Sequence, residues 1–367
     1  MYRRVAGVGL ALTMLVAGCG HSSSTSQGPA TSSTPVPSVA TSSTRAASAT
    51  SQAARDLPDP HTLRGLTEVP ELPDPKPVEG SSAQKLPVTV TDVEGNKVTI
   101  KSTSRILALD LYGTLSRTLI GLGLGDKIVG RTVSSTEKQL HDRPVVTENG
   151  HVLNVEAVAG LKPSVIIADR SVGPKEALDQ LRKSGIPVVL VDPHRSVGST
   201  PQLIRTIADA VGKPDAGEAL VKRTQEQIDQ AKKQIAAWKP AKPMRVAFLY
   251  VRGNAGVFFI LGSENGASEL IQGVGADDVA SDKGITTLVP ANAESLVSIN
   301  PDAILAMRNG LASTGGMKGL LARAGVANTT AGRKQRVISI PDGISLSFGP
   351  QTGEVLTAVA KALYGVK

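Results

Sequence analysis

Short apolar runs alternate with amphipathic segments along most of this chain. The runs RILAL (105–109), VIIAD (165–169) and PVVLVD (187–192) are rich in β-branched residues, and segments of helical length separate them. Continuous apolar runs of this length are typical of strands buried on both faces of a parallel sheet. The same alternation returns after residue 240 in RVAFLYV, GVFFIL, AILAM and RVISI. The pattern predicts an α/β protein with two such units.

One long segment between these units has helical periodicity. From Pro214 to Trp238, apolar or small residues recur at spacings of three and four, namely Val221, Thr224, Ile228, Ala231, Ile235 and Trp238. This spacing predicts an amphipathic helix of roughly 35 Å. Prolines follow it at 240 and 243. We therefore expect a first lobe over 86–213, a bridging helix over 214–239 and a second lobe over 240–367.

A weak internal repeat relates the two lobes. NVEAVAGLKPSVIIAD (154–169) and NAESLVSINPDAILAM (292–307) align without a gap and share Asn, Glu, Pro and Ile at matching positions. Each predicts a short helix, a proline and a buried strand. The expected architecture is two similar α/β lobes joined by one rigid helix.

The N-terminus has the pattern of an export signal. Arg3 and Arg4 precede an apolar run that is too short to span a bilayer, and the small residues before Cys19 complete a signal peptide over 1–18. LVAGC resembles the bacterial lipoprotein signal, which implies that Cys19 is lipidated and anchors the protein to the outer face of the cytoplasmic membrane. The Ser-, Thr- and Pro-rich stretch 19–85 is expected to be a disordered tether, with 57–82 lying irregularly along the surface.

Charge and composition exclude some partners. The net charge is +8, but lysines and arginines are scattered among acidic residues, and no basic helix with interleaved aromatics is present. We therefore expect no nucleic-acid partner, and we expect a monomer. Aromatic residues make up only 2% of the chain, so a tyrosine near a strand end is notable.

Tyr250 and Arg252 are such a pair, in the stretch LYVRGNAG (249–256). Side chains two residues apart on a strand point to the same side, so the phenol and the guanidinium should share one face where the strand meets a glycine-containing loop. Taken alone, the pair is better explained by a tyrosine with a buried ring and an exposed hydroxyl, followed by a surface arginine.

The folded part as a whole, Leu86 to Lys367, resembles the helix-bridged class of substrate-binding proteins of ABC importers for iron chelates, haem and cobalamin. The resemblance is carried by VTVTD and RILAL, by the paired repeat segments, and by TAGRKQRVISI followed by FGPQTGEVL. It implies a ligand cleft between the lobes, small hinge motion, and delivery of the ligand to permease subunits. It also implies no enzymatic activity and no intrinsic cofactor.

Within this class, the chain is most similar to actinobacterial haem-binding lipoproteins. That similarity implies that His151, in TENGHVLNVE, and Tyr250, in LYVRG, ligate the haem iron from opposite lobes, with Arg252 beside the tyrosine. Ferric iron favours an anionic oxygen donor, and tyrosine is a known haem ligand. A neighbouring guanidinium favours the charged phenolate.

Two further residue pairs have alternative interpretations. Arg170 and Arg308 lie one residue beyond the two repeat segments and, with Arg252, would bind an anionic ferric siderophore if that were the ligand. Glu156 and Glu294 lie at the same offset in both repeats. Helix-dipole compensation would be an adequate explanation for them alone, but the resemblance implies that they dock on arginines of the permease, and we favour docking.

Other function classes lack their motifs. The chain has no Gly-x-Ser-x-Gly, no Walker loop and no His-Glu-x-x-His sequence. A divalent-metal site formed by His141, His151 and His194 would lack closely paired carboxylates. An enzyme acting on an iron chelate, and a purely structural envelope protein, remain the more distant alternatives.

Overall fold

The computed structural model describes residues 57–79, 83–253 and 256–367. Its strands, in chain order, are β1 (Leu66–Glu68), β2 (Val88–Thr91), β3 (Lys97–Ile100), β4 (Ile106–Leu109), β5 (Ile128–Gly130), β6 (Thr147–Glu148), β7 (Val152–Leu153), β8 (Val165–Ala168), β9 (Val188–Leu190), β10 (Arg245–Arg252), β11 (Val257–Ile260), β12 (Asp277–Asp278), β13 (Val289–Pro290), β14 (Ala303–Met307) and β15 (Val337–Ile340).

The helices alternate with these strands, as the apolar pattern predicts. They are α1 (Thr114–Gly121), α2 (Val155–Gly160), α3 (Lys175–Lys183), α4 (Thr200–Ala210), α5 (Pro214–Trp238), α6 (Ala267–Gly273), α7 (Ala293–Ile299), α8 (Arg308–Ser313), α9 (Gly316–Leu321), α10 (Thr330–Lys334), α11 (Asp342–Ser345) and α12 (Thr352–Tyr364).

The first lobe is built on a four-stranded parallel sheet in the order β5-β4-β8-β9. Every residue of β4, β8 and β9 is buried, which explains why these strands read as continuous apolar runs. Strands β2 and β3 pair as an antiparallel hairpin, and Gly95 at its turn has a φ of 84°.

The second lobe is built on a seven-stranded mixed sheet in the order β1-β15-β14-β10-β11-β13, with β12 paired to β10. Strands β10, β14 and β15 run parallel, whereas β11 is antiparallel to β10 and places Phe259 opposite Tyr250. The two repeat segments occupy equivalent places, because β8 and β14 are both interior strands. The prediction of two similar α/β lobes is confirmed.

Helix α5 joins the lobes and contributes to both cores. Near its start, Leu220 and Val221 pack into the apolar core of the first lobe. Two turns or more later, Ala231 and Ile235 pack into the core of the second lobe. Full burial of one large aliphatic side chain contributes roughly 1.5–3 kcal/mol to stability. Each lobe is therefore firmly packed against helix α5.

The stretch preceding the first lobe corrects one expectation. Residues 57–79, here named the strap, were expected to be part of a disordered tether that lies irregularly along the surface. Instead, β1 pairs in parallel with β15, and Val69 is fully buried in the second lobe. A three-residue strand carries too little periodicity to be recognised from sequence.

The strap then crosses to the first lobe. The Asp74 carboxylate accepts hydrogen bonds from the backbone N–H groups of Lys138 and Gln139 over 2.8 and 2.9 Å. The backbone N–H of Val78 donates to the carbonyl of Gly121 over 2.9 Å. The lobes are therefore connected by the strap as well as by α5. Cys19, the signal sequence and residues 19–56 of the tether lie outside the described residues.

None of the helices in the described ranges is both long and apolar enough to cross a membrane.

Candidate functional site

Tyr250 and Arg252 lie together at the end of β10. Tyr250 packs against the apolar core of the second lobe and is only partly exposed. The central carbon of the Arg252 guanidinium lies 5.8 Å from the centre of the Tyr250 ring. The two side chains share one face, as their spacing on the strand predicts. A phenol flanked by a cation is a suitable donor to a ferric ion once it is deprotonated.

A carboxylate missed by the sequence analysis completes this group. Nη2 of Arg252 donates to Oδ1 of Asp342 over 2.6 Å. Burial lowers the pKa of Arg252, but its hydrogen bond with Tyr250 and the charge of Asp342 outweigh burial, so the net pKa is raised. Asp342 lies two residues after the end of β15, and Arg252 is the last residue of β10. The signal that could have identified it is its place at the carboxyl end of a parallel strand, where ligand sites of such sheets form.

His151 lies on the first lobe, on the loop that joins β6 to β7. Asn149 and Gly150 before it have φ values of 49° and 90°, so the tight turn presents His151 at its end. The His151 side chain is exposed, and its imidazole has no hydrogen-bond partner within the described part of the chain. It lines an open pocket of about 340 Å³ beside Lys175. An unengaged imidazole on a turn is available as a metal ligand.

Arg170 is already engaged in the first lobe. Its guanidinium binds both carboxylate oxygens of Glu94 over 2.8 and 2.9 Å, and it also donates to Asp179 over 2.9 Å and to the carbonyl of Lys175. The hydrogen bond to Glu94 contributes most to a raised pKa of Arg170. An anionic chelate would have to displace these partners.

Arg308 is engaged in the same way in the second lobe. Its Nη1 donates to Glu71 over 2.7 Å, and its Nη2 donates to the carbonyl of Val69. Both acceptors belong to the strap. The equivalent positions of Arg170 and Arg308 in the repeat therefore correspond to two ion pairs that stabilise the fold, and the geometry does not favour them as ligand contacts.

Glu156 and Glu294 occupy equivalent exposed positions, each in the first turn of a short helix. An asparagine caps each helix, because the side chains of Asn154 and Asn292 each accept a backbone N–H three residues later over 2.9 Å. Among the described residues, neither glutamate takes part in an ion pair. Both carboxylates are thus free to contact a partner.

A buried polar cluster lies where the two lobes meet. Asp110 follows β4, Asp169 follows β8, and Arg195 binds Asp169 directly while its Nη2 lies 3.6 Å from Asp110. Thr114 connects this cluster to the other lobe, since its hydroxyl donates to the carbonyl of Ser347. Burial is the main cause that raises the pKa of Asp110 to about 7, and the charge of Arg195 opposes it. Within the described residues, Oδ1 of Asp110 has no hydrogen-bond partner.

A second buried arginine also crosses between the lobes. Arg117, on α1, donates through Nη1 to the side-chain oxygen of Gln351 over 2.7 Å and through Nε to the carbonyl of Gly343 over 3.2 Å. Its Nε also lies 3.5 Å from the buried carboxylate of Glu137. The contact between the two lobes is therefore held by specific polar interactions.

The three histidines considered as metal ligands, His141, His151 and His194, do not form a cluster. His141 and His194 are exposed like His151, and within the described ranges no three potential ligands from His, Cys, Asp and Glu lie close enough to hold a metal ion. This arrangement gives no support to the alternative of a divalent-metal site.

Comparison with known families and proteins gives consistent matches. The model of the family described as "Periplasmic binding protein" matches residues 111–343. An ABC transporter substrate-binding lipoprotein of Bacillus subtilis (strain 168), YvrC, is 26% identical over 76% of this chain and 86% of its own length. A cobalamin-binding protein of Halobacterium salinarum is 23% identical over 80% of this chain and 78% of its own length.

Several solved structures are also similar. The haem-binding protein HmuT is 49% identical, covers 84% of this chain and all of its own, and superposes with a TM-score of 0.83. The haem-binding protein RhuT from Roseiflexus sp. RS-1 is 32% identical, covers 72% of this chain and 99% of its own, and has a TM-score of 0.67. BhuT in complex with two haems is 29% identical, covers 71% of this chain and 98% of its own, and has a TM-score of 0.63.

Proposed function

We propose that this chain, which belongs to the periplasmic binding protein family, captures haem between its two lobes and delivers it to the permease of an ABC importer. The family and its solved neighbours are binding proteins, which supports a receptor and not an enzyme. The transported haem is the ligand, and the protein has no cofactor of its own in this proposal.

One observation carries the choice of haem. HmuT has been crystallised with its histidine, its tyrosine and its arginine replaced in turn by alanine. The substituted tyrosine follows the histidine by 99 positions, and the arginine follows the tyrosine by two. Tyr250 follows His151 by the same 99 positions, and Arg252 follows Tyr250 by two. Such agreement supports the assignment of the three residues to the ligand site.

The chemistry of the three residues fits this role. In the proposed complex, His151 donates its imidazole nitrogen to one face of the haem iron, and Tyr250 donates a phenolate oxygen to the other face. The ordinary pKa of a tyrosine is about 10, so the phenol loses its proton only with help from nearby positive charge. The ferric iron and the guanidinium of Arg252 supply that charge.

Ferric siderophore binding is supported less well by the contacts. That alternative relies on Arg170, Arg308 and Arg252 to bind an anionic chelate. The first two already bind Glu94 and Glu71, and breaking two such ion pairs would cost binding energy. Arg252 lies beside Tyr250, a group that has ligand chemistry of its own.

The proposal also covers anchoring and docking. Cys19 would carry the lipid that holds the receptor on the outer face of the cytoplasmic membrane. Glu156 and Glu294, one on each lobe, would contact arginines on the two permease subunits. Charge pairs of this kind fix orientation and speed association more than they add affinity.

A titration distinguishes the two ligands. Ferric haem or a ferric siderophore is added to the purified protein, and haem absorbance and Trp238 fluorescence are recorded. We expect haem to give a saturable six-coordinate ferric spectrum that His151→Ala alters and His141→Ala, an exposed control on the same lobe, does not. Quenching of Trp238 by the siderophore, with no spectral change on adding haem, would show that the haem assignment is wrong.

A further inference from the structure

Asp342 lies behind the pair formed by Tyr250 and Arg252. Its Oδ1 accepts from Nη2 of Arg252 over 2.6 Å, and its Oδ2 accepts from the backbone N–H of Asn309 over 2.8 Å. The side chain of Asp342 is 14% exposed, whereas that of Arg252 is 38% exposed. Both carboxylate oxygens are therefore engaged, and the carboxylate is the more firmly held member of this ion pair.

We propose that Asp342 is a positioning residue for the tyrosine ligand of the haem iron. It holds the guanidinium of Arg252 against the phenol of Tyr250, so that the positive charge is already in place when the phenolate forms. Asp342 touches neither the phenol nor the haem in this arrangement. The inference rests on the proposed haem-binding function.

The need for such a residue follows from the position of Arg252. It is the last residue of β10, and Gly253 after it has a φ of 54°, so the backbone leaves the strand directly beyond it. A half-exposed guanidinium next to a neutral phenol is stabilised more by hydration than by its contact with the ring. A carboxylate that binds its far side offsets this preference, because hydrogen bonds between charged partners are short and strong.

The fold fixes Asp342 from the other lobe as well. The next residue is Gly343, whose carbonyl accepts from Nε of Arg117 on the first lobe. A Cβ atom on Gly343 would overlap Oγ1 of Thr136, also on the first lobe. The segment that carries Asp342 is thus packed at the contact between the lobes, and it provides a stationary anchor for the guanidinium.

A purely structural role for Asp342 makes a different prediction. The carboxylate begins the four-residue helix α11 and accepts from Asn309. If those contacts were its whole contribution, its removal would lower thermal stability but would leave the iron coordination unchanged. If it acts through Arg252, its removal must change the tyrosine ligation, and it must lose its effect once Arg252 is absent.

A double-mutant cycle tests the proposal. Ferric haem is titrated into the wild type, Asp342→Ala, Arg252→Ala and the double variant, and the pH at which the tyrosine ligand is lost on acidification is recorded from the visible spectrum. We expect Asp342→Ala to weaken haem binding about tenfold, the size expected for one charge-assisted hydrogen bond. It should also move that pH upward. In the Arg252→Ala background it should have no further effect.

Three variants serve as controls. Asp342→Glu keeps the carboxylate and should restore part of the affinity and of the spectrum. Asp342→Asn keeps the size of the side chain but removes its charge. It replaces Asp342→Ala in the haem titration if the alanine variant folds poorly. Glu71→Gln breaks the comparable ion pair with Arg308, the first residue of helix α8, directly after the neighbouring strand β14, and it should change neither the affinity nor the spectrum.

Two results would overturn the inference. One is an equal loss of affinity from Asp342→Ala in the presence and in the absence of Arg252. The other is a loss of thermal stability with no change in the tyrosine-dependent spectrum. If the wild type itself lacks tyrosine ligation, the proposed function fails and takes this inference with it, whereas normal wild-type ligation with an unaffected Asp342→Ala variant refutes the inference alone.

Discussion

Asp110→Asn should make the stability of this protein less sensitive to pH. Asp110 is fully buried between the lobes, where Thr114 donates its backbone N–H to Oδ2 and Oδ1 has no partner among the residues that the structure describes. Arg195 is the nearby cation, but it binds Asp169 more closely than Asp110. Asn has nearly the shape of a protonated aspartate, so the substitution keeps the neutral form at every pH.

The magnitude follows from the shift of the pKa. The pKa of Asp110 is raised from 3.8 to about 7, mainly by burial. The charge of Arg195 and the N–H of Thr114 lower it, and the Asp169 and Glu137 carboxylates raise it. Because the folded state holds the proton more tightly, the stabilisation is fully present below pH 3.8. It is lost as the pH rises through about 7. A shift of this size corresponds to about 4 kcal/mol of unfolding free energy.

Urea denaturation of the wild type and Asp110→Asn, at pH values from about 4 to about 8, measures this effect. We expect the difference in unfolding free energy, variant minus wild type, to rise by about 4 kcal/mol across that range. Asp126→Asn removes one exposed charge from the same lobe and controls for net charge. A difference that stays constant with pH would refute the reasoning, because it would mean that Asp110 is ionised in both states.

Three other perturbations test the fold and the docking proposal. Gly113→Ala should destabilise the protein by roughly 2 kcal/mol or more, because Gly113 has a φ of 71° and a Cβ there would lie 2.5 Å from the carbonyl oxygen of Ser134. Thermal unfolding measures this loss of stability, and an unchanged midpoint would contradict the prediction. Val69→Asp places a charge in the core and should release the strap, seen as faster proteolysis within 57–79; equal cleavage rates would show that the strap is not held there. Reversing Glu156 or Glu294 to Arg should slow haem delivery to the permease while haem affinity stays unchanged; unaltered transport would remove the docking role.

The long helix and the buried strands could be predicted because their patterns are local. The prediction for α5 ran from Pro214 to Trp238, and the helix has those bounds, since an uninterrupted apolar stripe and two following prolines leave few alternatives. The helix that follows β4, α1, begins only at Thr114. The positive φ of Gly113 delays it, and the sequence pattern contains no sign of that backbone conformation.

The contacts between distant residues could not be predicted in the same way. The pairing of β1 with β15 joins residues about 270 positions apart and depends on a free sheet edge that only the folded lobe creates. Arg170 and Arg308 were candidate ligand contacts because they hold equivalent positions in the repeat, but their partners Glu94 and Glu71 are remote in sequence. Asp342 was missed for the same reason, because its role depends on the neighbouring strand β10.

The central claim is that residues from separate lobes, His151 and Tyr250, bind the same iron. Resonance Raman spectroscopy of the ferric haem complex tests it most directly, because an iron–phenolate bond has its own vibrations. We expect these bands in the wild type and in His151→Ala, and their absence in Tyr250→Phe. If Tyr250→Phe retains the iron–phenolate bands, or if the wild-type complex lacks them, the proposed site is wrong.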